Sequence, residues 1–98
     1  MAHYYIGGDL GTSALKLLLV DDQGEVIAQA TKEYPAIHPS PEKSEQDPLD
    51  WRKALLEGLD ELVPLDKRQD VRGIALDGQM HGLVCLDDRD NPLGNAIL

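Results

Sequence analysis

Apolar and polar residues are arranged in blocks that divide the first third of the chain into three short segments. Residues 3–8 and 14–20 are brief apolar runs that end at polar, glycine-containing stretches, as β-strands do. Residues 25–33 alternate apolar and polar side chains, which is typical of a strand with one buried face. The polar stretches at residues 9–13 and 21–24 therefore predict turns, the second of them a tight hairpin.

A proline-containing loop at residues 35–47 separates these strands from one predicted helix. Asp47 followed by Pro48 is the expected pairing of a helix N-cap with proline at the first helical position. Beyond it, four apolar residues recur at spacings of four, four and three and form one stripe: Trp51, Leu55, Leu59 and Leu62. Pro64 ends the helix, and Gly58 inside it costs about 1 kcal/mol relative to alanine.

The remaining residues predict two more strands. Residues 71–76 and 83–86 are apolar, so we expect both to be buried strands, with Cys85 an inert buried thiol. Residues 77–82 predict a polar turn between them. Residues 87–92 resemble the polar stretch after the second strand, which predicts two similar hairpin turns.

The order strand, strand, strand, helix, strand, strand predicts a mixed sheet in an α/β fold. One helix covers only one face of such a sheet, so we expect a large exposed apolar patch and self-association through the uncovered face. Residues 96–98 (Ala-Ile-Leu) are typical of the opening of another buried strand. We therefore expect residues 1–98 to be a piece of a longer protein.

Charge and composition exclude several classes of function. Nine basic and 18 acidic residues give a net charge of -9, which argues against nucleic acid or an anionic membrane as a partner. The 42% of hydrophobic residues indicates a globular chain. The single cysteine excludes an internal disulfide, which fits a reducing compartment, so we expect a cytoplasmic protein.

One candidate site is the segment of residues 9–13 (Asp-Leu-Gly-Thr-Ser), which is followed by Lys16. Here a strand delivers a carboxylate, a glycine lets backbone N–H groups approach an anion, and two hydroxyls add hydrogen-bond donors. A carboxylate beside a phosphate site suits Mg²⁺. The alternative is an ordinary turn whose polar side chains bond to their own backbone.

A second candidate site is the segment of residues 78–82 (Gly-Gln-Met-His-Gly). An amide, a thioether and an imidazole between two glycines suit a small sugar or polyol, although Met80 and His81 in a structural turn explain the same residues. A third segment is residues 44–48 (Ser-Glu-Gln-Asp-Pro), in which Glu45 or Gln46 is predicted to face a ligand. The alternative is structural, with Asp47 capping the helix and Trp51 packing in the core.

Together, the segments at residues 5–13, 44–51 and 78–82 resemble the start of the FGGY family of carbohydrate kinases in order and approximate spacing. The Gln-Met-His-Gly element is most similar to that of members acting on D-xylulose. The resemblance implies a ribonuclease-H-like, actin-type ATPase fold, incomplete in this chain, and ATP-dependent phosphorylation of a small ketose such as D-xylulose. Glycerol, gluconate and ribulose are the alternative substrates, and a non-catalytic actin-like or sugar-binding module is the alternative function.

The resemblance also assigns roles to residues. Asp9 is expected near Mg²⁺ and the transferred phosphate, in a supporting catalytic role. The ATP phosphates would be approached by Gly11, Thr12, Ser13 and Lys16. The sugar site would be lined by Gln79, Met80 and His81. The catalytic base and the adenine site are expected beyond Leu98, so this chain alone, half of the first kinase domain, is expected to be inactive.

This chain departs from the family pattern at three positions. Gly8 replaces a branched apolar residue, Ala14 replaces a frequent glycine, and Asp77 replaces a small neutral residue. A carboxylate at position 77 either alters the sugar pocket or faces water.

Overall fold

The structure of the protein is a computed structural model that describes residues 2–78 and 82–98. Within these residues the chain forms six strands, one α-helix and one 3-10 helix. In chain order they are β1 (Tyr4–Leu10), β2 (Ala14–Asp21), β3 (Val26–Glu33), β4 (Glu45–Gln46), α1 (Pro48–Leu62), the 3-10 helix (Leu65–Asp70), β5 (Val71–Gly78) and β6 (Ala96–Ile97).

Four strands form the main sheet in the order β3–β2–β1–β5. Antiparallel pairs join β1 to β2 and β2 to β3, whereas β5 lies parallel to β1. The helix α1 lies in the connection between β3 and β5, because a strand that pairs parallel to an earlier strand needs a long crossover connection. This arrangement confirms the predicted mixed sheet. The strands β4 and β6 pair separately.

The helix begins and ends where the sequence predicted. The Asp47 side chain accepts a hydrogen bond from the N–H of Leu49 at 2.9 Å, and Pro48 occupies the first turn. At 15 residues, α1 is shorter than the roughly 20 that a bilayer requires. Nowhere in residues 2–78 and 82–98 is there a helix with the length and apolarity of a membrane crossing.

The core lies between α1 and one face of β1, β2 and β3. Three alternate residues of β2 point toward the helix and are almost completely buried: Leu15, Leu17 and Leu19. The predicted helix stripe contributes as expected, because Leu62 is buried and Trp51, Leu55 and Leu59 pack against the core. Gly58 of α1 is buried against Leu17. The glycine lowers the stability of the helix, but its missing side chain lets the helix approach the sheet closely.

The strand β5 is not buried as predicted. It lies at the edge of the sheet, and α1 packs mainly against β2 and β3. Ile74 and Leu76 therefore remain 53% and 55% exposed. Asp77 and Gly78, which were predicted to begin a turn at residues 77–82, still belong to β5, and residues 79–81 of that predicted turn lie outside the described part.

Three other sequence predictions require correction. Residues 83–86 form only isolated bridges, from Leu83 to Ile97 and from Leu86 to Pro92, rather than a strand. Cys85 is consequently exposed, not buried. The predicted loop at residues 35–47 contains β4, because pairing with β6 satisfies its backbone.

The two predicted similar turns, at residues 21–25 and 87–91, have the same hydrogen-bond pattern. In each, the first aspartate side chain accepts from the N–H groups two and four residues later, at distances of 2.8 to 3.0 Å. A backbone with positive φ closes each turn, at Gly24 (80°) and at Asp90 (64°). Hydrogen bonds from the N–H of Asn91 and then that of Arg89 lower the pKa of Asp87.

Candidate functional site

Three charged side chains lie in one row across the sheet, on the face opposite α1. Asp9 of β1 is paired with Lys16 of β2 on one side and with Asp77 of β5 on the other. Paired residues point to the same face of a sheet, and Asp9 points away from the buried Ile6 because their separation is odd. The sheet therefore brings the predicted Asp9 and Lys16 together and adds Asp77, which the sequence predicted either to alter the sugar pocket or to face water.

These charges line an open cavity of about 450 Å³. Its walls are formed by residues of β1, β2 and β5: Gly7, Gly8, Asp9, Lys16, Leu18, Ala75, Leu76 and Asp77. A side chain at Gly7 would meet no described atom within 4 Å, so part of the surface is bare backbone. The cavity gives a small ligand access to Asp9 at the end of its strand.

Asp9 is electrostatically unusual. A hydrogen bond with the Asp77 side chain raises the pKa of Asp9, the negative charge of Asp77 adds to the effect, and partial desolvation contributes. The positive charge of Lys16 acts in the opposite direction but is the smallest influence. Two neighbouring carboxylates repel each other, so this part of the cavity favours a bound proton or cation.

Directly after β1, residues 11–13 form a tight exposed turn into β2. The N–H of Gly11 donates to the carbonyl of Ala14 at 2.9 Å, and a Cβ at Gly11 would lie only 3.1 Å from that oxygen. Glycine thus allows the close turn. Thr12 and Ser13 are exposed. The predicted turn is therefore present but shorter, because Asp9 and Leu10 still belong to β1.

Two buried residues hold this turn from behind. The Tyr34 hydroxyl donates to the carbonyl of Gly11, and the Tyr34 N–H donates to that of Ser13 at 3.1 Å. The Gln46 side-chain amide donates to the carbonyl of Thr12 at 2.5 Å. All three consecutive carbonyls of the turn are therefore held by Tyr34 and Gln46, neither of which the sequence identified as a partner of the turn.

The direction of these carbonyls fixes the direction of two N–H groups. In a planar trans peptide, the carbonyl of one residue and the N–H of the next point in opposite directions. With the Gly11 and Thr12 carbonyls directed toward the buried side, the N–H groups of Thr12 and Ser13 point away from it. Successive N–H groups in a turn of this kind form a concave site for an anion.

Burial raises the pKa of the Tyr34 hydroxyl, and the negative charge of Asp9 raises it further. Tyr34 therefore keeps its proton and remains a hydrogen-bond donor to the turn.

Of the two interpretations of the segment around Gln46, the structure supports the structural one. Gln46 is 1% exposed, and its side-chain oxygen accepts from the Trp51 indole N–H at 3.0 Å. Glu45 accepts from the side chain of Asn95 at 3.1 Å. Both residues use these contacts within the protein rather than facing the cavity.

The predicted sugar residues, Gln79, Met80 and His81, lie outside the described part of the chain. Gly78, which precedes them, is paired with Leu10 at the end of β1 where the turn of residues 11–13 begins. Their role remains a prediction. Among residues 2–78 and 82–98, no group of three or more His, Cys, Asp or Glu side chains is arranged to hold a metal.

Comparisons with known proteins identify the family of this chain. The profile described as the FGGY family of carbohydrate kinases, N-terminal domain, matches residues 4–98. The xylulose kinase of Bacillus subtilis (strain 168) is 50% identical over 97 residues, which cover 97% of this chain and 19% of that protein. A crystal structure of a xyloylose kinase from Brucella ovis superposes with a TM-score of 0.91 at 40% identity, covering 98% of this chain and 21% of that one.

A gluconate kinase from Lactobacillus acidophilus superposes with a TM-score of 0.74 at 34% identity, covering 99% of this chain and 20% of that one. These neighbours share the ribonuclease-H-like, actin-type ATPase fold, as the sequence predicted. The chain spans about a fifth of the length of the relatives it matches. Because the family profile matches nearly all of it, the chain belongs to the FGGY family of carbohydrate kinases.

Proposed function

We propose that this chain is the amino-terminal part of the first domain of a cytoplasmic, ATP-dependent sugar kinase acting on a small ketose such as D-xylulose. The observation that carries the proposal is the arrangement at the end of β1, where Asp9 lies beside a turn that directs two N–H groups outward. The similarity to two xylulose kinases supports the choice of sugar.

In this proposal, the turn of residues 11–13 binds the ATP phosphates. The outward N–H groups and the exposed hydroxyls of Thr12 and Ser13 supply donors to phosphate oxygens. Gly11 makes the tight turn possible, and Lys16, in the same row as Asp9, adds positive charge. Phosphoryl transfer relies mainly on positioning and electrostatics, so a preformed set of donors is the contribution that the reaction needs.

Asp9 is proposed to hold Mg²⁺. The site fits this ion, because Mg²⁺ usually binds one or two carboxylates and completes its shell with water and phosphate oxygens. The hydrogen bond with Asp77 and then the negative charge of Asp77 raise the pKa of Asp9, and that same negative charge favours a cation beside it. When bound, Mg²⁺ would neutralise phosphate charge, while Asp9 would keep the ion next to the turn.

We propose that Gln79, Met80 and His81 bind the sugar. The amide and imidazole are suited to hydroxyl groups, and the thioether to carbons. Gly78, the last residue of β5, is paired with Leu10 beside the phosphate turn, and the three residues follow it directly in the sequence. The catalytic base and the adenine site are proposed to come from the rest of the longer protein.

The test is a kinase assay on the longer protein that carries this chain. ADP release would be measured with MgATP and D-xylulose, D-ribulose, glycerol or gluconate, and we expect the highest kcat/KM for D-xylulose. Asp9→Asn should lower activity by about a hundredfold or more, since a charged group at the reacting phosphate is lost. Asp88→Asn, in the exposed turn at residues 87–91, is the matched control and should leave activity unchanged.

Other outcomes would select other functions. Gluconate as the preferred substrate would favour the second candidate, which the gluconate kinase neighbour supports at a lower TM-score. Sugar binding without ADP release would indicate a non-catalytic module. His81→Ala should raise KM for the sugar and leave KM for ATP unchanged. An unchanged sugar KM would contradict the assignment of the sugar site.

A further inference from the structure

We propose that Tyr34 and Gln46 are positioning residues that hold the turn of residues 11–13 in the conformation that presents its N–H groups to phosphate. The inference rests on the proposed function of that turn. It adds two residues that lie behind the ATP site, do not face the cavity and act through the backbone.

Both residues are fixed by their surroundings. Tyr34 is 6% and Gln46 is 1% exposed, so their donors have little access to water. Gln46 is oriented at both ends of its amide, since the nitrogen donates to Thr12 and the oxygen accepts from Trp51 of α1. Gln46 also belongs to β4, where it is paired with the fully buried Ala96. The turn is therefore connected to α1 and to the second sheet through one side chain.

Loss of either donor would remove a hydrogen bond that holds a carbonyl of the turn in its present direction. Losing a hydrogen bond to a partly buried group is costly, so the peptide would tend to rotate until the carbonyl reaches water. That rotation turns the N–H of the next residue back toward the buried side, because the two groups belong to one rigid plane. The effect should therefore appear in nucleotide binding and not in sugar binding.

Two conservative variants of the longer protein separate the donors from packing. Tyr34→Phe keeps the ring and the backbone bond to Ser13 but removes the hydroxyl that donates to Gly11. Gln46→Glu keeps the shape and the acceptor for Trp51 but removes the donor to Thr12. We expect each to weaken MgADP binding by on the order of tenfold, with KM for MgATP rising in parallel and KM for the sugar unchanged.

Arg68→Met is the matched control. The Arg68 side chain donates to the carbonyl of Val63 at 3.0 Å and to the Asp60 carboxylate at 2.8 Å. It precedes Val71, which is paired with Tyr4 at the start of β1, about 20 Å of strand away from the turn. This variant should lose thermal stability and keep wild-type affinity for MgADP.

Calorimetric titration with MgADP decides the inference. A folded Tyr34→Phe or Gln46→Glu protein with wild-type affinity would overturn it, as would equal losses of nucleotide and sugar affinity. If either variant does not fold, Trp51→Phe takes its place, because it removes the bond that orients Gln46. Wild-type protein that binds MgADP but phosphorylates no sugar would refute the proposed function alone, and the MgADP affinities would still decide the role of Tyr34 and Gln46.

Discussion

The substitution Gly58→Ala should destabilise this protein, although alanine is the better helix former. Leu17 is completely buried between two glycines, one on α1 and one on β1. A Cβ at Gly58 would lie 2.7 Å from Leu17 Cδ1, and a Cβ at Gly8 would lie 2.9 Å from Leu17 Cδ2. The leucine cannot retreat from the helix without approaching β1, so the added methyl group has no space.

The magnitude follows from two opposing effects. Alanine in the middle of a helix is favoured over glycine by about 1 kcal/mol. Forcing an extra methyl group into a packed core costs roughly 1–3 kcal/mol, and we take about 2 kcal/mol here, because both sides of Leu17 are blocked. The net loss is about 1 kcal/mol, which lowers Tm by roughly 4–8 °C for a domain of this size.

A second substitution reverses the sign. Leu17→Val removes both Cδ atoms and by itself costs on the order of 1 kcal/mol. In that background the methyl group of Gly58→Ala has room, so the same change should stabilise the protein by about 1 kcal/mol. The double-mutant cycle therefore predicts a coupling of about 2 kcal/mol between the two positions, within the range seen for residues in contact.

Urea unfolding monitored by fluorescence measures this coupling. In the 98-residue chain Trp51 is the single tryptophan and packs against the core, so its emission in that chain reports loss of the interface between α1 and the sheet. Free energies of unfolding of the four proteins complete the cycle. If Gly58→Ala stabilises the parent protein as much as the Leu17→Val variant, the close approach does not exist and the reasoning is wrong.

Three further predictions concern charge and exposed surface. Asp77→Asn should return the pKa of Asp9 toward its ordinary value, which carbon NMR of the carboxyl group would measure. A raised pKa in the folded protein makes stability fall as the pH rises from the ordinary pKa through the raised one. The variant should therefore lose this pH dependence of stability. The lowered pKa of Asp87 has the opposite sign, so its stabilisation is present above the ordinary carboxyl pKa and lost as pH falls through the lowered one. Acid unfolding of Asp87→Ala should therefore begin at a higher pH than that of the wild-type protein, whereas the control Asp88→Ala should unfold at the wild-type pH. The chain of 98 residues by itself should self-associate through its exposed apolar side chains, and Leu76→Lys should shift its sedimentation toward that of a monomer. Unchanged sedimentation would show that the surface around Leu76 is not where the chains associate.

The elements that the sequence predicted well are those with local signals. Asp47 and Pro48 start a helix by their own chemistry, and Gly24 closes the hairpin with a backbone that glycine adopts readily. The burial of β5 was predicted wrongly, because apolar residues such as Ile74 and Leu76 indicate only that burial would be favourable. Whether they are covered depends on where α1 lies, and it lies over β2 and β3.

The same distinction applies to the site. A local motif identified Asp9 and the turn, but Tyr34 is separated from Gly11 by 23 positions and Gln46 from Thr12 by 34. The pairing of β2 with β3 brings Tyr34 beside the turn, and no local pattern contains that information. Asp77 joins Asp9 only through the parallel register of β5 with β1.

The net charge of -9 repels phosphate, whereas the proposed phosphate site beside Asp9 has to attract it. A polyphosphate approaching the row of Asp77, Asp9 and Lys16 meets two carboxylates and one ammonium group. The N–H groups of the turn supply partial positive charge, but they do not cancel two carboxylates beside them. A cation between carboxylate and phosphate removes that repulsion, so the proposed site is suited to a nucleotide that carries its Mg²⁺ and disfavours the free nucleotide. Because Asp77 adds a second negative charge beside Asp9, this preference should be stronger here than in an Asp77→Asn variant.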